Sequence, residues 1–366
     1  MIIDAHAYCF PPLDQANGFP SPREHLRYIQ RMIAGHRQAP WRIRDHAIGD
    51  NTALADPQDR TMRGLREVNF RAGGYGRFVW TANGDDYAKQ YLPPYLADLS
   101  APPELLVAQM DYVGVDRAVL HANPIMGLLN DYLADCVRTY PNRLLGLAAV
   151  PEWKIDEEPQ RLVGEVARAY ANGLQGFQFI SDSRYRHGVN SSWDAETCRP
   201  FWDGVVALGK PILFTLHTWP TLPEYLEQLR IWSGWLKRYP TIPVVHTHGF
   251  PWGLLRDGNR LQLPDALFEP FRSSSAMLEL LFPITIGHIW DYPYDEVRPT
   301  VVELVRQLGS DRLMWGTDMP NVERHCNYRQ TLDMFRVHCK GVLTDSAIDD
   351  IVGRTCARLF GLKSES

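Results

Sequence analysis

Residues 198–217 read CRPFWDGVVALGKPILFTLH, and this stretch decides the fold of the chain. Its first half has the spacing of an amphipathic helix that ends at Gly209. Its second half is a short apolar run that ends at His217 and has the composition of a buried strand. A helix that leads directly into a buried strand is the repeating unit of a parallel sheet. The same unit is therefore expected along the rest of the chain.

The unit recurs from about residue 100 to the C-terminus. Eight strands that alternate with seven helices in a chain of 366 residues predict an α/β protein with a (β/α)8 TIM barrel, formed by residues 1–366 as a single domain. An open doubly wound sheet is the alternative, but no glycine-rich phosphate-binding motif follows the first strand. The predicted strands are 1–6, 115–121, 144–150, 174–180, 211–217, 242–248, 276–282 and 312–318, and the predicted helices are 103–114, 130–141, 158–173, 198–209, 223–240, 293–309 and 328–339.

Residues 10–100 interrupt this pattern as a large insertion after the first strand. Ser21 and Glu24 have the spacing of a capping box at the start of a helix, and Asn83-Gly84 is typical of a hairpin turn. The insertion is therefore expected to hold a helix and a β-hairpin. Because it follows the first strand, it lies at the catalytic end of the barrel, as a lid, a wall of the substrate pocket or an arm that contacts a second copy in a homodimer.

Composition excludes several classes of function. A formal charge of −5, from 38 Lys and Arg against 43 Asp and Glu, provides no basic surface for nucleic acid. No stretch of about 18 apolar residues and no leader-like N-terminus are present, so we expect a cytoplasmic protein without a membrane partner. The six cysteines form no CxxC pair and are expected to be ordinary thiols.

Polar residues gather at the predicted strand ends. Alternation along the first strand places Asp4, His6 and Tyr8 on one face, and the fifth and eighth strands end at His217 and Asp318. Each of these has a structural explanation when taken alone, as packing, a turn or a helix cap. Together, at the end of a barrel where catalytic residues converge, His6, His217 and Asp318 are expected to hold a divalent ion with one position open.

The sequence resembles the amidohydrolase superfamily, and within it the branch of aminocarboxymuconate-semialdehyde decarboxylase-like proteins. The resemblance rests on IIDAHAY near the start, VVHTHGF at the end of the sixth strand, DRLMWGTDMP in the eighth and VGRTCARLFGL near the C-terminus. It covers residues 1–9 and about 101–362, so it does not explain the insertion. It implies one bound metal ion, zinc or manganese, and a small-molecule substrate.

The resemblance also implies roles for individual residues. His6, His217 and Asp318 correspond to metal ligands, and Asp318 would also take a proton from metal-activated water. His248 corresponds to the histidine that acts as general acid or base over the water or the substrate. His246, two residues earlier in the sixth strand, is expected to support the site from the same barrel face.

Tyr8 departs from the family pattern, which has a second histidine at this position. A phenol has an ordinary pKa of about 10 and is a poor zinc ligand. Three alternatives remain open: the ion is held by three protein ligands, Tyr8 contacts the substrate or the metal-bound water beside a weaker or different metal, or the metal has been lost.

The main prediction for the reaction is hydrolysis of a small cyclic or aromatic, carboxylated substrate by metal-activated water. The alternatives are nonoxidative decarboxylation, as a carboxy-lyase of the same family, and a metal-free lactonase-like or non-catalytic barrel that binds a small molecule. Predicted substrate contacts are the arginines Arg71, Arg77 and Arg184 and the tryptophans Trp80, Trp219, Trp252 and Trp290. A homodimer through the insertion is also predicted.

Overall fold

Eight parallel strands form one sheet in the computed structural model, which describes residues 1–363. Each strand pairs with its neighbours along the sheet in the order β1 to β8. The (β/α)8 barrel predicted from the sequence is confirmed. The strands are β1 (Ile3–Ala7), β2 (Arg117–Leu120), β3 (Leu144–Ala148), β4 (Gly176–Ile180), β5 (Ile212–Thr215), β6 (Val244–His246), β7 (Met277–Leu280) and β8 (Leu313–Trp315).

The barrel closes where β1 meets the segment that follows β8. The amide of Asp318 donates to the carbonyl of His6 at 2.8 Å, and the amide of Tyr8 donates to the carbonyl of Met319 at 2.8 Å. Gly316 makes this contact possible, since a Cβ atom at that position would lie 2.8 Å from the Cβ of His6. The glycine of the GTDMP motif thus allows β8 to approach the histidine of β1.

Helices surround the sheet, and the predicted helical stretches are all present. The loop between β6 and β7 differs from the others, because its one α-helix among the described residues is the single turn Glu269–Arg272. In residues 1–363, no helix has the combination of length and hydropathy needed to span a bilayer. The α-helices outside the insertion are Pro103–Val113, Asn130–Thr139, Pro159–Ala171, Ser183–Arg186, Arg199–Ala207, Leu222–Arg238, Glu269–Arg272, Phe282–Ile286, Arg298–Leu308, Tyr328–Arg336, Asp345–Asp349 and Thr355–Leu359, and a π-helical turn spans Asp350–Arg354.

The insertion holds a helix and a small antiparallel sheet. The helix is Pro22–Ala34, and the side chain of Ser21 caps it by accepting from the amide of Glu24. The turn at Asn83-Gly84 has the positive φ angles, 53° and 81°, that a two-residue hairpin requires. The sheet has four strands in the order Trp41–Arg42, Asp85–Gln90, Arg77–Ala82 and Arg71–Gly74.

One buried cluster lies inside the barrel. Alternate residues of the strands converge there and meet Cys356 and Leu359 of the last helix, which closes the lower end. The other face of each strand packs against the surrounding helices. The members of the inner cluster that come from the strands include Ile3, Ala5, Val119, Leu145, Leu147, Leu213, Val245 and Met314.

A register shift between Asp4 and Ala7 interrupts the alternation of β1. Ile3 and Ala5 point into the barrel, so the Asp4 carboxyl between them is directed outward, where it accepts from the hydroxyl of Tyr328 at 3.0 Å. After the shift, His6 projects toward the open end of the barrel. The expectation that Asp4 and His6 share one face is wrong, because the bulge inserts one extra residue into β1 and so shifts the in-and-out alternation of its side chains.

Candidate active site

A cavity of about 830 Å³ opens at the carboxyl ends of the strands. Loops after β4, β5, β6, β7 and β8 form one part of its wall, and the insertion forms another. This is the end at which barrel enzymes carry their catalytic residues. The barrel side contributes His217, Trp219, His248, His288 and Arg324, and the insertion contributes Arg31, His36, Arg37, Arg60 and Tyr91.

His6 lies beneath this cavity with both ring nitrogens engaged. Its Nδ1 is 2.9 Å from Oε2 of Glu279, and its Nε2 is 2.9 Å from the hydroxyl of Tyr8. The Glu279 carboxylate accepts a hydrogen bond, so it favours the tautomer of His6 that carries its hydrogen on Nδ1. The lone pair of Nε2 is then directed toward Tyr8 and Asp318. Burial, assisted by the nearby imidazoles, lowers the pKa of His6 well below its ordinary value, so the ring is neutral and able to bind a cation.

Asp318 stands between two imidazoles. Its Oδ1 lies 3.6 Å from Nε2 of His6 and 3.7 Å from Nε2 of His248. Two donors that bind one tetrahedral ion at about 2.1 Å lie about 3.4 Å apart, so these separations fit a shared ion. Burial raises the pKa of Asp318 to about 7. A cation placed among these three groups would favour the carboxylate.

Asp318 and His248 both adopt left-handed backbone conformations, with φ of 68° and 65°. For residues with a Cβ this conformation costs about 1–3 kcal/mol and persists where the surrounding structure imposes it. His248 lies two residues after β6 and Asp318 three residues after β8, so the strained turns direct both side chains across the open end. Strain at two adjoining polar residues is typical of a functional site.

The imidazoles of His217 and His248 stack against each other, with ring centroids 4.3 Å apart. Burial lowers the pKa of His248 to about 4 and that of His217 well below its ordinary value. The Nδ1 of His248 contacts the hydroxyl of Thr247 at 3.1 Å, whereas the Nδ1 of His217 is buried without a hydrogen-bond partner among the described residues. This nitrogen is therefore available to a water molecule, an ion or a substrate atom.

Comparison with known proteins agrees with this geometry. The sequence profile of the amidohydrolase family matches residues 3–362. This chain belongs to the amidohydrolase family. It is therefore a member of a superfamily of enzymes, and the resemblance noted in its sequence motifs is confirmed.

Two curated relatives of this amidohydrolase are gamma-resorcylate decarboxylases. The protein of Polaromonas sp. (strain JS666 / ATCC BAA-500) is 23% identical over 232 residues, which cover 54% of this chain and 67% of the relative. That of Rhodococcus jostii (strain RHA1) is 28% identical over 225 residues, which cover 52% and 64%. Thus the matched part spans about two thirds of each relative.

The fold also matches solved structures. A probable 2-pyrone-4,6-dicarboxylic acid hydrolase from Acinetobacter baumannii superposes with a TM-score of 0.55 at 18% identity, over 72% of this chain and 91% of that one. At this level of identity the similarity shows the shared barrel fold.

The donor set of this amidohydrolase fits one divalent ion such as zinc or manganese. Ligand atoms of His6, His248 and Glu279 all lie within 4.8 Å of one another, and all three residues are buried. Glu279 was not predicted from the sequence, although a carboxylate inside the apolar run of β7 is a signal that could have revealed it. Its position at Nδ1 of His6 is that of a carboxylate that orients a metal-binding histidine.

Two predicted contact residues adjoin the site. Tyr8 is 2% exposed and touches His6, and burial, with the charge of Asp318, raises the pKa of its phenol well above the ordinary value. Trp219 lines the cavity and donates from Nε1 to Ser181 at 3.0 Å.

His246 faces away from the cavity of this amidohydrolase. Since Val245 points into the barrel, the neighbouring His246 points outward, where its Nε2 contacts the hydroxyl of Tyr225 at 2.9 Å. The structure therefore places it between β6 and the surrounding helices rather than on the barrel face that carries the site.

The predicted arginine contacts lie elsewhere. Arg77 begins a strand of the insertion and donates to the Gly74 carbonyl, Arg71 pairs with Asp86, and buried Arg184 binds Asp156 through two bonds of 2.9 Å.

Trp290 packs outside the cavity lining, with the guanidinium of Arg256 5.9 Å from its ring centroid. Of the other predicted tryptophans, Trp252 lines the cavity and buried Trp80 does not. The arginines that do line the cavity are Arg31, Arg37, Arg60, Arg186 and Arg324.

Proposed function

We propose that this chain is a metal-dependent enzyme that removes the carboxyl group of a small aromatic acid as carbon dioxide. The observation that carries the proposal is the position of Asp318, whose Oδ1 lies 3.6 and 3.7 Å from Nε2 of His6 and His248 at the base of an arginine-lined cavity. The main prediction from the sequence is hydrolysis. The curated relatives, both decarboxylases, support decarboxylation instead.

His6, His217 and Asp318 are the ligands that we propose for the ion. Nε2 of His6 and Oδ1 of Asp318 have a fitting separation, and the unpaired Nδ1 of His217 supplies a further donor. Glu279 receives the Nδ1 hydrogen of His6, so it would orient this ligand rather than bind the ion itself. Tyr8 remains a neutral phenol beside the ligands and contacts substrate or solvent.

A bound divalent ion would supply Lewis acidity, which holds the carboxylate of the substrate and draws electron density from its ring. Decarboxylation breaks the bond between the ring and the carboxyl carbon, and its electron pair stays on the ring carbon. That carbon must receive a proton. The pair formed by His248 and Asp318 is placed to hold this proton and to deliver it.

Hydrolysis is the second candidate, and the same pair favours it. With a pKa raised to about 7, Asp318 could accept a proton from an attacking water at neutral pH. The two reactions therefore make the same use of the site and differ in the substrate bond that lies over it.

The test is a substrate screen with purified protein supplied with manganese or zinc. Hydroxybenzoates are assayed for release of carbon dioxide, and lactones and pyrones for ring opening. We expect carbon dioxide from a hydroxybenzoate, lost on chelation and reduced at least about a thousandfold in Asp318→Asn. Asp257→Asn, an exposed carboxylate outside the cavity, is the matched control.

Ring opening without carbon dioxide release would favour the hydrolase. Activity that survives chelation and Asp318→Asn would overturn the metal-dependent proposal. A folded protein that binds these compounds but neither retains metal nor changes them would support the non-catalytic barrel.

We also propose a homodimer through the insertion and an enzyme of the cytoplasm. Ile43 and Ile48, on one loop of the insertion, are 42% and 84% exposed and would gain from burial against a second copy. The molar mass from light scattering tests the dimer, and Ile48→Glu is expected to shift it toward the monomer.

A further inference from the structure

Two arginines in the cavity wall are held by histidines instead of carboxylates. Nη1 of Arg324 contacts Nε2 of His36 at 3.2 Å, and Nη1 of Arg37 contacts Nε2 of His288 at 2.9 Å. All four residues line the cavity. His36 and Arg37 come from the insertion, while Arg324 and His288 come from the loops after β8 and β7. We refer to these four residues as the cationic wall.

In the part of the chain that the structure describes, the arginines of the cationic wall form no ion pair with a carboxylate. Within residues 1–363, neither Arg37 nor Arg324 has a carboxylate oxygen within 4.0 Å, the limit of an ion pair. Burial lowers the pKa of His36 well below its ordinary value and lowers that of His288, so both imidazoles are neutral acceptors. A neutral acceptor fixes the direction of a guanidinium but leaves its positive charge in place.

Two other arginines of the cavity form ion pairs with carboxylates. Arg186 pairs with Asp182, and Arg60 pairs with Glu224 at 3.2 Å. These pairs neutralise their own charge, as structural ion pairs do. Arg31, which also lines the cavity, donates to the backbone carbonyls of Asp59 at 2.9 Å and Thr61 at 3.4 Å. The cationic wall is therefore a part of the cavity whose donors are held by neutral side chains and whose positive charge remains available to a ligand.

The insertion holds the cationic wall in position. Buried Lys89 donates from Nζ to the carbonyls of Ile33 at 2.9 Å and His36 at 3.1 Å, and Asn51 donates to the same His36 carbonyl at 3.0 Å. On the opposite side, the guanidinium of Arg324 lies over the ring of Tyr91, 5.1 Å from its centroid. The donors are thus oriented before any ligand arrives, which reduces the entropy lost on binding.

We propose that the cationic wall binds a second carboxylate of the substrate, so that the enzyme acts on an aromatic dicarboxylate with its reacting carboxyl group at His6, His217 and Asp318. This inference rests on the proposed function. A guanidinium matches a carboxylate through two parallel hydrogen bonds. Among the described residues, Arg37 is engaged through Nη1 and keeps Nε and Nη2, whereas Arg324 donates from Nε to the carbonyl of Asn321 at 3.0 Å and from Nη1 to His36 and keeps Nη2. The residues 10–100 would then contribute to substrate selection through His36 and Arg37.

The experiment measures the binding of matched ligands by calorimetry to the manganese-supplied protein. Benzene-1,3-dicarboxylate is compared with 3-carbamoylbenzoate, and benzene-1,4-dicarboxylate with 4-carbamoylbenzoate, because each pair differs only by one charge. We expect one dicarboxylate to bind about ten- to a hundredfold more tightly than its amide. Arg324→Gln and Arg37→Gln should each remove most of this preference, and Arg324→Lys should keep part of it.

Arg23→Gln is the matched control, since Arg23 lies on the insertion helix with its side chain 77% exposed. It should retain the full preference. Equal affinities for both members of each pair in the unsubstituted protein, or a preference that survives both Arg324→Gln and Arg37→Gln, would overturn the inference.

The turnover assay separates this outcome from failure of the proposed function. Metal-dependent release of carbon dioxide from a monocarboxylate, without any preference for dicarboxylates, would contradict only the role of the cationic wall. A dicarboxylate preference that depends on Arg324, in a protein without metal-dependent turnover, would contradict the proposed function and leave an anion-binding wall.

Discussion

The hydroxyl of Tyr8 lies 2.9 Å from Nε2 of His6, on the ring nitrogen that faces Asp318. This phenol stands where the related family motif has a second histidine. Its hydroxyl is a donor to the same lone pair that a metal ion would use, and its own ionisation is disfavoured by burial. Tyr8 therefore competes with the ion for His6, unless it moves when the ion binds.

We predict that Tyr8→His tightens metal binding by about tenfold, because an imidazole adds a donor and removes the competing hydroxyl. Tyr8→Phe should leave the affinity unchanged or slightly higher. Competition titrations with a coloured chelator measure both. Tyr112→His, at a residue that is 80% exposed, controls for adventitious binding by a new histidine. Weaker binding in Tyr8→Phe would mean that the phenol is itself a ligand.

Metal affinity should rise with pH through about 7. In the metal-free protein burial raises the pKa of Asp318 to about 7, so its carboxyl is protonated below this pH and must lose the proton to bind an ion. The histidines impose no such limit, since burial lowers their pKa values. The apparent affinity therefore falls on acidification below pH 7 and levels off above it.

Calorimetry between pH 5.5 and 8.5, in buffers of different ionisation enthalpy, measures this dependence and the released proton. Asp318→Asn should weaken metal binding at least about a hundredfold and abolish the rise of affinity near pH 7. If the affinity of this variant still rose near pH 7, the titrating group would be a residue other than Asp318.

Glu279→Gln should weaken metal binding by about ten- to a hundredfold without unfolding the barrel. The carboxylate accepts from Nδ1 of His6 and from the amide of His248, at 2.9 and 3.3 Å, and so fixes the orientation of both residues. A glutamine amide can donate where an acceptor is needed and would disturb the tautomer of His6. Glu303→Gln, on an outer helix, is the control, and metal content together with circular dichroism provides the comparison. Equal metal content in Glu279→Gln and the control would contradict the orienting role.

The sequence allowed the barrel to be predicted, and it identified several of the residues that the fold brings together at the candidate site, because both depend on local patterns. Apolar runs with helices between them identify parallel strands, and the motif around Asp318 identifies the end of the eighth. Whether His6 points into or out of the barrel depends on the bulge in β1, which the sequence pattern does not show. The direction of His246 depends on which alternate residues of β6 face inward, and the structure shows that these include Val245. Arg324 and His36 come together only through tertiary folding of the insertion, so their contact has no signature in sequence spacing.

Glu152 lies outside the site, and its contribution to the free energy of unfolding should fall as pH rises. This carboxyl is fully buried, accepts from the amide of Ile180 and the hydroxyl of Ser183, and has its pKa raised by burial from about 4.5 to about 8. Between these two values the folded state binds more protons at this group than the unfolded state, so its contribution to stability decreases as pH rises and becomes constant above about 8. Glu152→Gln cannot ionise and should stabilise the fold at pH 9 by about 1–3 kcal/mol relative to its effect at pH 5. Denaturant unfolding at both pH values measures the difference, with the exposed Glu157→Gln as control. An effect of Glu152→Gln that is the same at pH 5 and pH 9 would show that Glu152 ionises in the folded protein without cost.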